Sequence, residues 1–263
     1  MNDFTLTTYK LLLTALQSSG YSFQAVEDFI RTPKNKNTIL RHDVDRLPAN
    51  ALRMAKLEHE SEIAATYYFR TLSESWDEVI IRQIADLGHE VGYHYEDFSL
   101  CRGNYELSII NFKLSLERFR KICPVKTICM HGSPFSKYDN KKIWEKYDYR
   151  DYGIIADCYL DVDFDEVFYI TDTGRSWNNS SASVRDKVNS KFDIKIKDTN
   201  DLIEKIQNDE LPDKIMINVH PQRWNDAFVP WCSELVRQNI KNVIKRWVIR
   251  REEFRSQNPG ARR

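Results

Sequence analysis

Apolar and polar positions follow two spacings along the chain, and segments of the two kinds alternate. Short apolar or β-branched runs predict seven strands, near residues 38–43, 64–70, 90–94, 126–130, 153–156, 166–171 and 214–220. Apolar positions three and four residues apart predict seven helices, near residues 5–19, 48–60, 76–87, 104–121, 140–146, 199–207 and 231–254. Strands that alternate with helices are typical of parallel βαβ units, in which helices cover both faces of the sheet.

The chain shows no internal repeat, no low-complexity segment and no clear linker. We therefore expect a single α/β domain over residues 1–263, a length that suits one large domain of this class. The helices predicted at 5–19 and 231–254 would pack on the strands of this domain.

Composition narrows the possible classes of protein. With 39 basic and 39 acidic residues, no net charge draws the chain to nucleic acid. No window approaches the ~18 apolar residues of a membrane span, and the N-terminus lacks the basic region of a signal peptide. Five scattered cysteines without CxxC spacing are typical of a reducing compartment. We expect a cytoplasmic protein without a transmembrane segment.

Residues that bind metals or transfer protons occur where predicted strands end. Asp43 and Asp45 close the first strand, and His94, His131 and His220 end the runs "GHEVGYH", "KTICMH" and "KIMINVH". The carboxyl ends of parallel strands carry the chemistry of βα proteins. The recurrence therefore predicts that these five side chains converge at one edge of the sheet.

The first strand end also has an informative alternation. Arg41, Asp43 and Asp45 fall on one face of an extended segment, whereas His42 falls on the other. At a rise of ~3.3 Å per residue the two carboxylates start ~7 Å apart at Cα, so they can meet around one ion or one water. An arginine beside them would hold one carboxylate ionised.

With these motifs, the chain resembles the polysaccharide deacetylase family (carbohydrate esterase family 4) over about residues 37–224. The resemblance implies the NodB-homology fold, an irregular (β/α) barrel of about seven parallel strands. The "HDVD" stretch looks like the first motif, which implies Asp43 as catalytic base and Asp45 as metal ligand. "GHEVGYHYEDFS" is similar to the second, which implies His94 as a ligand, and "MINVHP" to the fifth, which implies His220 as general acid.

Two further motifs match less closely. "MHGSPF" stands where the family has Arg-x-Pro-Tyr, so Arg41 becomes the candidate to orient Asp43. The segment from Asp172 to Trp177 stands for the fourth motif. The patterns "RHDVD" and "HYED" look like a divergent branch of the family that is associated with surface-polysaccharide and lipopolysaccharide biosynthesis.

The metal ligands depart from the family pattern, which has two histidines four residues apart. Phe98 stands at the second of these positions. We expect a carboxylate as third ligand, Glu96 ahead of Asp97, in the segment that leaves the strand. His131 is the nitrogen alternative and would otherwise lie near the substrate.

The function that the resemblance implies is a metal-dependent amidohydrolase. It would remove an N-acyl group, in the first instance N-acetyl, from a sugar in glycan or surface-polysaccharide precursor synthesis. Zinc is the expected ion, with cobalt, nickel and manganese as alternatives. A nucleotide- or lipid-linked sugar is an open choice of substrate, and Trp177 and Trp224 could stack on its ring or instead pack in the core.

Two other functions stay open on the same fold. One is hydrolysis of a non-sugar amide or cyclic ureide, and the other is a catalytically silent sugar-binding or scaffold protein. The C-terminal helix is basic from Lys241 onward. Packing of Ile240, Val243, Ile244, Trp247 and Val248 on the barrel is the expected arrangement, and peripheral contact with an anionic membrane is the alternative.

Overall fold

Parallel strands form the centre of the molecule in this computed structural model. The structure describes residues 3–132, 136–177 and 188–257, with side chains to residue 244, so residues 133–135 of the predicted third motif lie outside it. The strands are β1 (Ser22–Gln24), β2 (Asn37–Val44), β3 (Thr66–Phe69), β4 (Glu90–Tyr95), β5 (Thr127–Met130), β6 (Ala156–Asp157), β7 (Phe168–Thr171) and β8 (Lys214–Val219).

The order of the strands is that of an irregular barrel. Along the sheet it is β6-β5-β4-β3-β2-β8-β7, with β1 added on β2, and every pair is parallel. Strand β2 lies between β3 and β8, so the first long strand neighbours the last, as it does when a sheet curls into a barrel. Among the described residues the ladder is open between β6 and β7. The predicted barrel of about seven parallel strands is confirmed.

Helices precede, connect and follow the strands. They are α1 (Leu6–Ser18), α2 (Val26–Arg31), α3 (Pro48–Glu60), α4 (Glu78–Asp86), α5 (Asp97–Leu100), α6 (Tyr105–Arg120), α7 (Thr199–Gln207) and α8 (Phe228–Gln257). The side chains of Thr5, Asp77, Asn104 and Asp198 accept hydrogen bonds from the first turns of α1, α4, α6 and α7. These caps satisfy amides that would otherwise lack a partner, and so they fix where each helix begins. The predicted helix at 140–146 is a 3-10 helix, Asn140–Glu145.

Strand β2 is buried along its whole length, and its two faces meet different surroundings. His42 points away from Asp43 and bonds the buried carboxylate of Glu58, at 2.7 Å from Nε2 to Oε1. Glu58 also accepts the hydroxyls of Tyr9 and Tyr67. A buried carboxylate is costly unless it is paired, so this cluster compensates Glu58 and joins α1 and α3 to the sheet.

Helix α8 presents a polar face to the rest of the molecule. Glu234 pairs with Arg46, and the Asn242 side chain donates to the Gly174 carbonyl. Ile240, Val243 and Ile244 are instead exposed, by 56%, 59% and 43%. The expected packing of these three on the barrel is wrong, because α8 contacts the rest of the molecule through polar side chains instead. Trp247 and Val248, which belong to the same prediction, have side chains outside the described residues.

No helix in the described ranges is both long enough and apolar enough to cross a membrane. Peripheral membrane contact through α8 stays a prediction.

Candidate active site and metal centre

A pocket of about 220 Å³ lies at the carboxyl ends of the strands. Its lining includes all five residues that the sequence places at strand ends, namely Asp43, Asp45, His94, His131 and His220. Strands β2, β4, β5 and β8 carry them there: Asp43 lies in β2 and His94 in β4, while the others directly follow β2, β5 and β8. The curl of the sheet therefore brings together side chains that are up to 177 residues apart.

Three of these side chains point their donor atoms at one another. Nε2 of His94 lies 3.7 Å from Oδ1 of Asp45, and Nε2 of His131 lies 3.6 Å from the same oxygen. All three donor atoms lie within 4.8 Å of one another. Ligands that are each ~2 Å from a zinc ion are on the order of 3–4 Å apart, so the spacing fits one shared ion.

The outer nitrogens of both histidines fix their tautomers. Nδ1 of His94 lies 3.0 Å from the carbonyl oxygen of Cys129, and Nδ1 of His131 lies 3.1 Å from Oε2 of Glu96. A carbonyl or an ionised carboxylate only accepts, so each Nδ1 donates and each Nε2 keeps its lone pair. Oδ1 of Asp45 is buried and has no hydrogen-bond partner among the described residues. One oxygen and two nitrogens thus fit a divalent cation when both imidazoles are neutral, since a protonated Nε2 has no lone pair to offer.

Glu96 lies behind His131, outside this group of donors. The guanidinium of Arg70 donates to it twice, Nε to Oε1 at 2.6 Å and Nη2 to Oε2 at 3.0 Å. Burial alone would raise the pKa of Glu96, but His131 and Arg70 lower it to about 2. Arg70 directly follows β3, so it lies at a strand end as the histidines do. The same signal could have identified it from the sequence.

Asp43 is held by other side chains than Asp45. It accepts Nε and Nη2 of Arg41 at 2.9 and 2.6 Å, and the Asn218 amide at 3.1 Å. Burial alone would raise the pKa of Asp43, but Arg41, His94 and His220 lower it to about 2. Its Oδ2 lies 3.8 Å from Nε2 of His94. Asp43 also belongs to a second, fully buried group of possible ligands, with His94 and Cys129.

The pKa values of His94, His131 and Asp45 depend on burial and on the charges of their neighbours. Burial lowers the pKa of His94 to about 4, although Asp43 and Asp45 oppose this. Burial also acts to lower the pKa of His131, but Glu96 and Asp45 raise it overall. The pKa of Asp45 falls below its usual range in spite of burial, because His131, His220, His94 and Arg223 surround it. Asp45 is therefore ionised at neutral pH.

His220 is oriented by a buried carboxylate. Its Nδ1 lies 2.6 Å from Oδ1 of Asp172, and its backbone N–H donates to Oδ2 at 3.0 Å. The indole of Trp224 donates to Oδ2 at 2.8 Å, and Arg223 pairs with Oδ1. Nε2 of His220 faces the pocket, 4.0 Å from Oδ2 of Asp45. Asp172 is the first residue of the segment that was compared with the family's fourth motif. The sequence assigned no role to this segment, and in the structure Asp172 orients His220.

Other predicted site residues lie away from the pocket. Trp177 and Trp224 are 2% and 0% exposed and pack against Phe4 in the core. Asp97 is buried among the Tyr93 hydroxyl and the Asn111 amide. None of the three lines the pocket, so neither indole is placed to stack on a sugar there.

No model of a known protein family matches the chain, and no curated protein does. Among solved structures, a family 4 carbohydrate esterase from Bacillus anthracis is similar, with 10% identity, a TM-score of 0.44, and 87% of this chain aligned to 84% of that one. A pseudoenzyme of the same family from that organism has 12% identity and a TM-score of 0.43, with 78% of this chain aligned to 61% of it. A mutant of that pseudoenzyme has 14% identity, a TM-score of 0.42, and 78% aligned to 63%. The chain thus spans less than two thirds of the pseudoenzyme's length. We assign the fold from the strand order of the chain itself.

Proposed function

We propose that the protein is a metal-dependent hydrolase that removes an N-acyl group, first of all N-acetyl, from a sugar used in surface-glycan synthesis. The observation that carries the proposal is the convergence of Oδ1 of Asp45 with Nε2 of His94 and of His131. Asp43 lies 3.8 Å from Nε2 of His94, and Nε2 of His220 lies 4.0 Å from Asp45, so both border this centre. An acid and a base beside a cation site are the groups that amide hydrolysis requires.

The proposed ligands are Asp45, His94 and His131, with His131 in the place expected for Glu96. Catalytic zinc sites typically use three protein ligands and keep a fourth position open. Two imidazoles and one carboxylate favour zinc, and tolerate cobalt, nickel or manganese. A bound divalent ion would supply Lewis-acid polarisation of the amide carbonyl and of the attacking water.

Asp43 is the proposed base. It accepts the proton of the water as the water oxygen attacks the amide carbon. Arg41 keeps Asp43 ionised and fixes the direction of its carboxylate, because the N–H groups of Nε and Nη2 bond the two carboxylate oxygens in parallel. In the family pattern the third motif supplies this arginine, and here β2 itself supplies it.

His220 is the proposed acid. Nε2 donates a proton to the leaving nitrogen as the C–N bond breaks, so that acetate and a free amine are released. Asp172 holds Nδ1 of His220 and leaves Nε2 toward the pocket. Trp224 takes part only through Asp172, as a donor to its second oxygen.

The test is release of acetate by protein reconstituted with zinc or cobalt. We expect turnover of an N-acetyl amino sugar, lost in Asp43→Asn. Release from N-acetyl amino acids or opening of a hydantoin, with no action on sugars, would favour the non-sugar hydrolase. A protein that binds N-acetyl sugars but turns over none of these substrates would be the silent sugar-binding alternative.

A further inference from the structure

Helix α8 contributes cationic side chains to the pocket. Among the described residues, five cations line it, namely Arg46, Arg70, Arg223, Arg237 and Lys241. Three of them are paired, Arg46 with Glu234, Arg70 with Glu96, and Arg223 with Asp172. The other two, Arg237 and Lys241, form no ion pair with any carboxylate in the part of the chain that the structure describes.

The positive charges of Arg237 and Lys241 repel each other when no anion is bound beside them. They are four residues apart on one helix, where like charges repel and destabilise each other. Lys241 is half-buried. Burial lowers the pKa of Lys241, and the neighbouring Arg237 and Arg46 lower it further. An anion bound between them would offset this repulsion.

The volume of the pocket limits the size of the molecule that carries this anionic group. Its volume of about 220 Å³ is below the ~300–1,000 Å³ of typical small-molecule sites. Helix α8 covers it from one side through the Glu234–Arg46 pair and the bond from Asn242 to Gly174. A pocket of this size suits one small unit, such as a single sugar ring.

We propose that the substrate is a small N-acyl sugar that carries a phosphate or carboxylate group, which Arg237 and Lys241 bind. This inference rests on the proposed function, since the same pocket contains Asp45, His94 and His131. The anion would lie on the α8 side of the pocket, and the acyl group would lie at the strand ends. Arginine binds phosphate and carboxylate through paired N–H groups, and lysine binds them as a point charge.

The test is calorimetric binding with chelator-treated protein, which needs no turnover and prevents the probe from binding through a metal. The probes are N-acetylglucosamine, its 1-phosphate, its uridine diphosphate conjugate, and an N-acetyl aminouronic acid. We expect the anionic sugars to bind at least about tenfold more tightly than the neutral one. The double variant Arg237→Gln/Lys241→Gln should lose this preference, and Lys241→Arg should keep it. Lys10→Gln, which removes an exposed charge on α1, is the matched control and should bind like wild type.

The tightest of the three anionic probes identifies the source of the charge. Equal binding of neutral and anionic sugars by wild type, or an unchanged preference in the double variant, would overturn the inference. If the double variant does not fold, the salt dependence of wild type decides: a preference lost between 50 mM and 500 mM NaCl supports the inference, and one that salt leaves unchanged overturns it. Failure of the proposed hydrolase would show separately, as absent acetate release by metal-loaded wild type.

Discussion

At the scale of single residues, Asp43 and Asp45 show how two carboxylates on one strand face acquire different chemistry. Both oxygens of Asp43 already accept hydrogen bonds from Arg41, and Oδ2 accepts another from Asn218. In Asp45, Oδ1 has no hydrogen-bond partner in the described chain and faces two imidazole nitrogens. Asp45 therefore has an oxygen available to an ion, whereas both oxygens of Asp43 are held by donors, which suits its proposed role as base.

Substituting the two aspartates separates these roles. Asp43→Asn should leave the zinc dissociation constant within a few-fold of wild type and reduce turnover by ~10²–10⁴, the usual contribution of a general base. Asp45→Asn should weaken zinc binding itself, because it removes a direct ligand. Chelator competition and acetate release measure the two effects. An equal loss of zinc in both variants would mean that the carboxylates share the ion, with Cys129 close enough to take part.

The third ligand is also decided by single residues. His131→Ala should lose more zinc affinity than Glu96→Gln, because Glu96 acts through the Nδ1 of His131. Loss of such an outer partner typically costs 10–100-fold in metal affinity. Asp97→Asn should bind zinc like wild type and serves as the control. A larger loss in Glu96→Gln than in His131→Ala would restore Glu96 as the ligand.

Asp97 gives a prediction for stability. Burial raises the pKa of Asp97 to about 7, although bonds from Tyr93 and Asn111 oppose the rise. In the unfolded chain this group releases its proton near pH ~3.9. Between these values the folded state holds the extra proton, so this group lowers the free energy of unfolding as the pH rises.

Asp97→Asn removes that titration. The free energy of unfolding of the variant, relative to wild type, should increase between pH 4 and pH 8 by a few kcal/mol, at about 1.4 kcal/mol per pKa unit. Urea unfolding of the metal-free proteins at both pH values gives the comparison. A difference between variant and wild type that does not change with pH would show that Asp97 titrates normally.

At the scale of elements, β4 positions His94 through a close contact that only glycine permits. A Cβ on Gly92 would lie 2.2 Å from Cε1 of Tyr68 and 2.9 Å from the carbonyl oxygen of Thr127. Tyr68 is fixed in turn by its bond to the Thr127 hydroxyl at 2.7 Å. Gly92 and His94 point to the same face of the strand, so the packing of the Tyr68 ring on β4 continues to the metal centre.

Gly92→Ala should lower the free energy of unfolding by ~1–3 kcal/mol, the usual cost of overpacking a core, and weaken zinc binding by moving His94. In a double-mutant cycle with Tyr68→Leu, the combined cost should be smaller than the sum of the two. Urea unfolding provides all four values. Full additivity would show that the Tyr68 ring does not oppose the added methyl group.

The sequence predicted the positions of long elements well. It predicted short elements, and the inner face of the surface helix α8, less well. Each of the seven predicted strands overlaps an observed strand, β6 by Ala156 alone, because parallel strands buried on both faces have nearly continuous apolar runs. Strand β1 and helix α2 were missed, since three and six residues are too few to show a period. For α8 the apolar spacing predicted the wrong inner face, because Glu234 and Asn242 find polar partners that a local pattern does not contain.

At the scale of the whole molecule, the strand order determines which predicted residues meet. The sequence alone placed Asp43, Asp45, His94, His131 and His220 at strand ends, and all five line one pocket. It favoured Glu96 over His131 as the third ligand, and it did not foresee that Arg70 from another strand pairs with Glu96. For Trp177 and Trp224 the sequence left both sugar stacking and core packing open, and both side chains lie in the core.

The most direct test of the metal centre is anomalous diffraction at the zinc edge from crystals of the zinc-loaded protein. We expect one strong peak per chain, ~2.0–2.2 Å from Oδ1 of Asp45 and from Nε2 of His94 and His131. A protein that takes up no stoichiometric ion, or a peak bound instead by Asp43 and Cys129, would contradict the proposed metal centre.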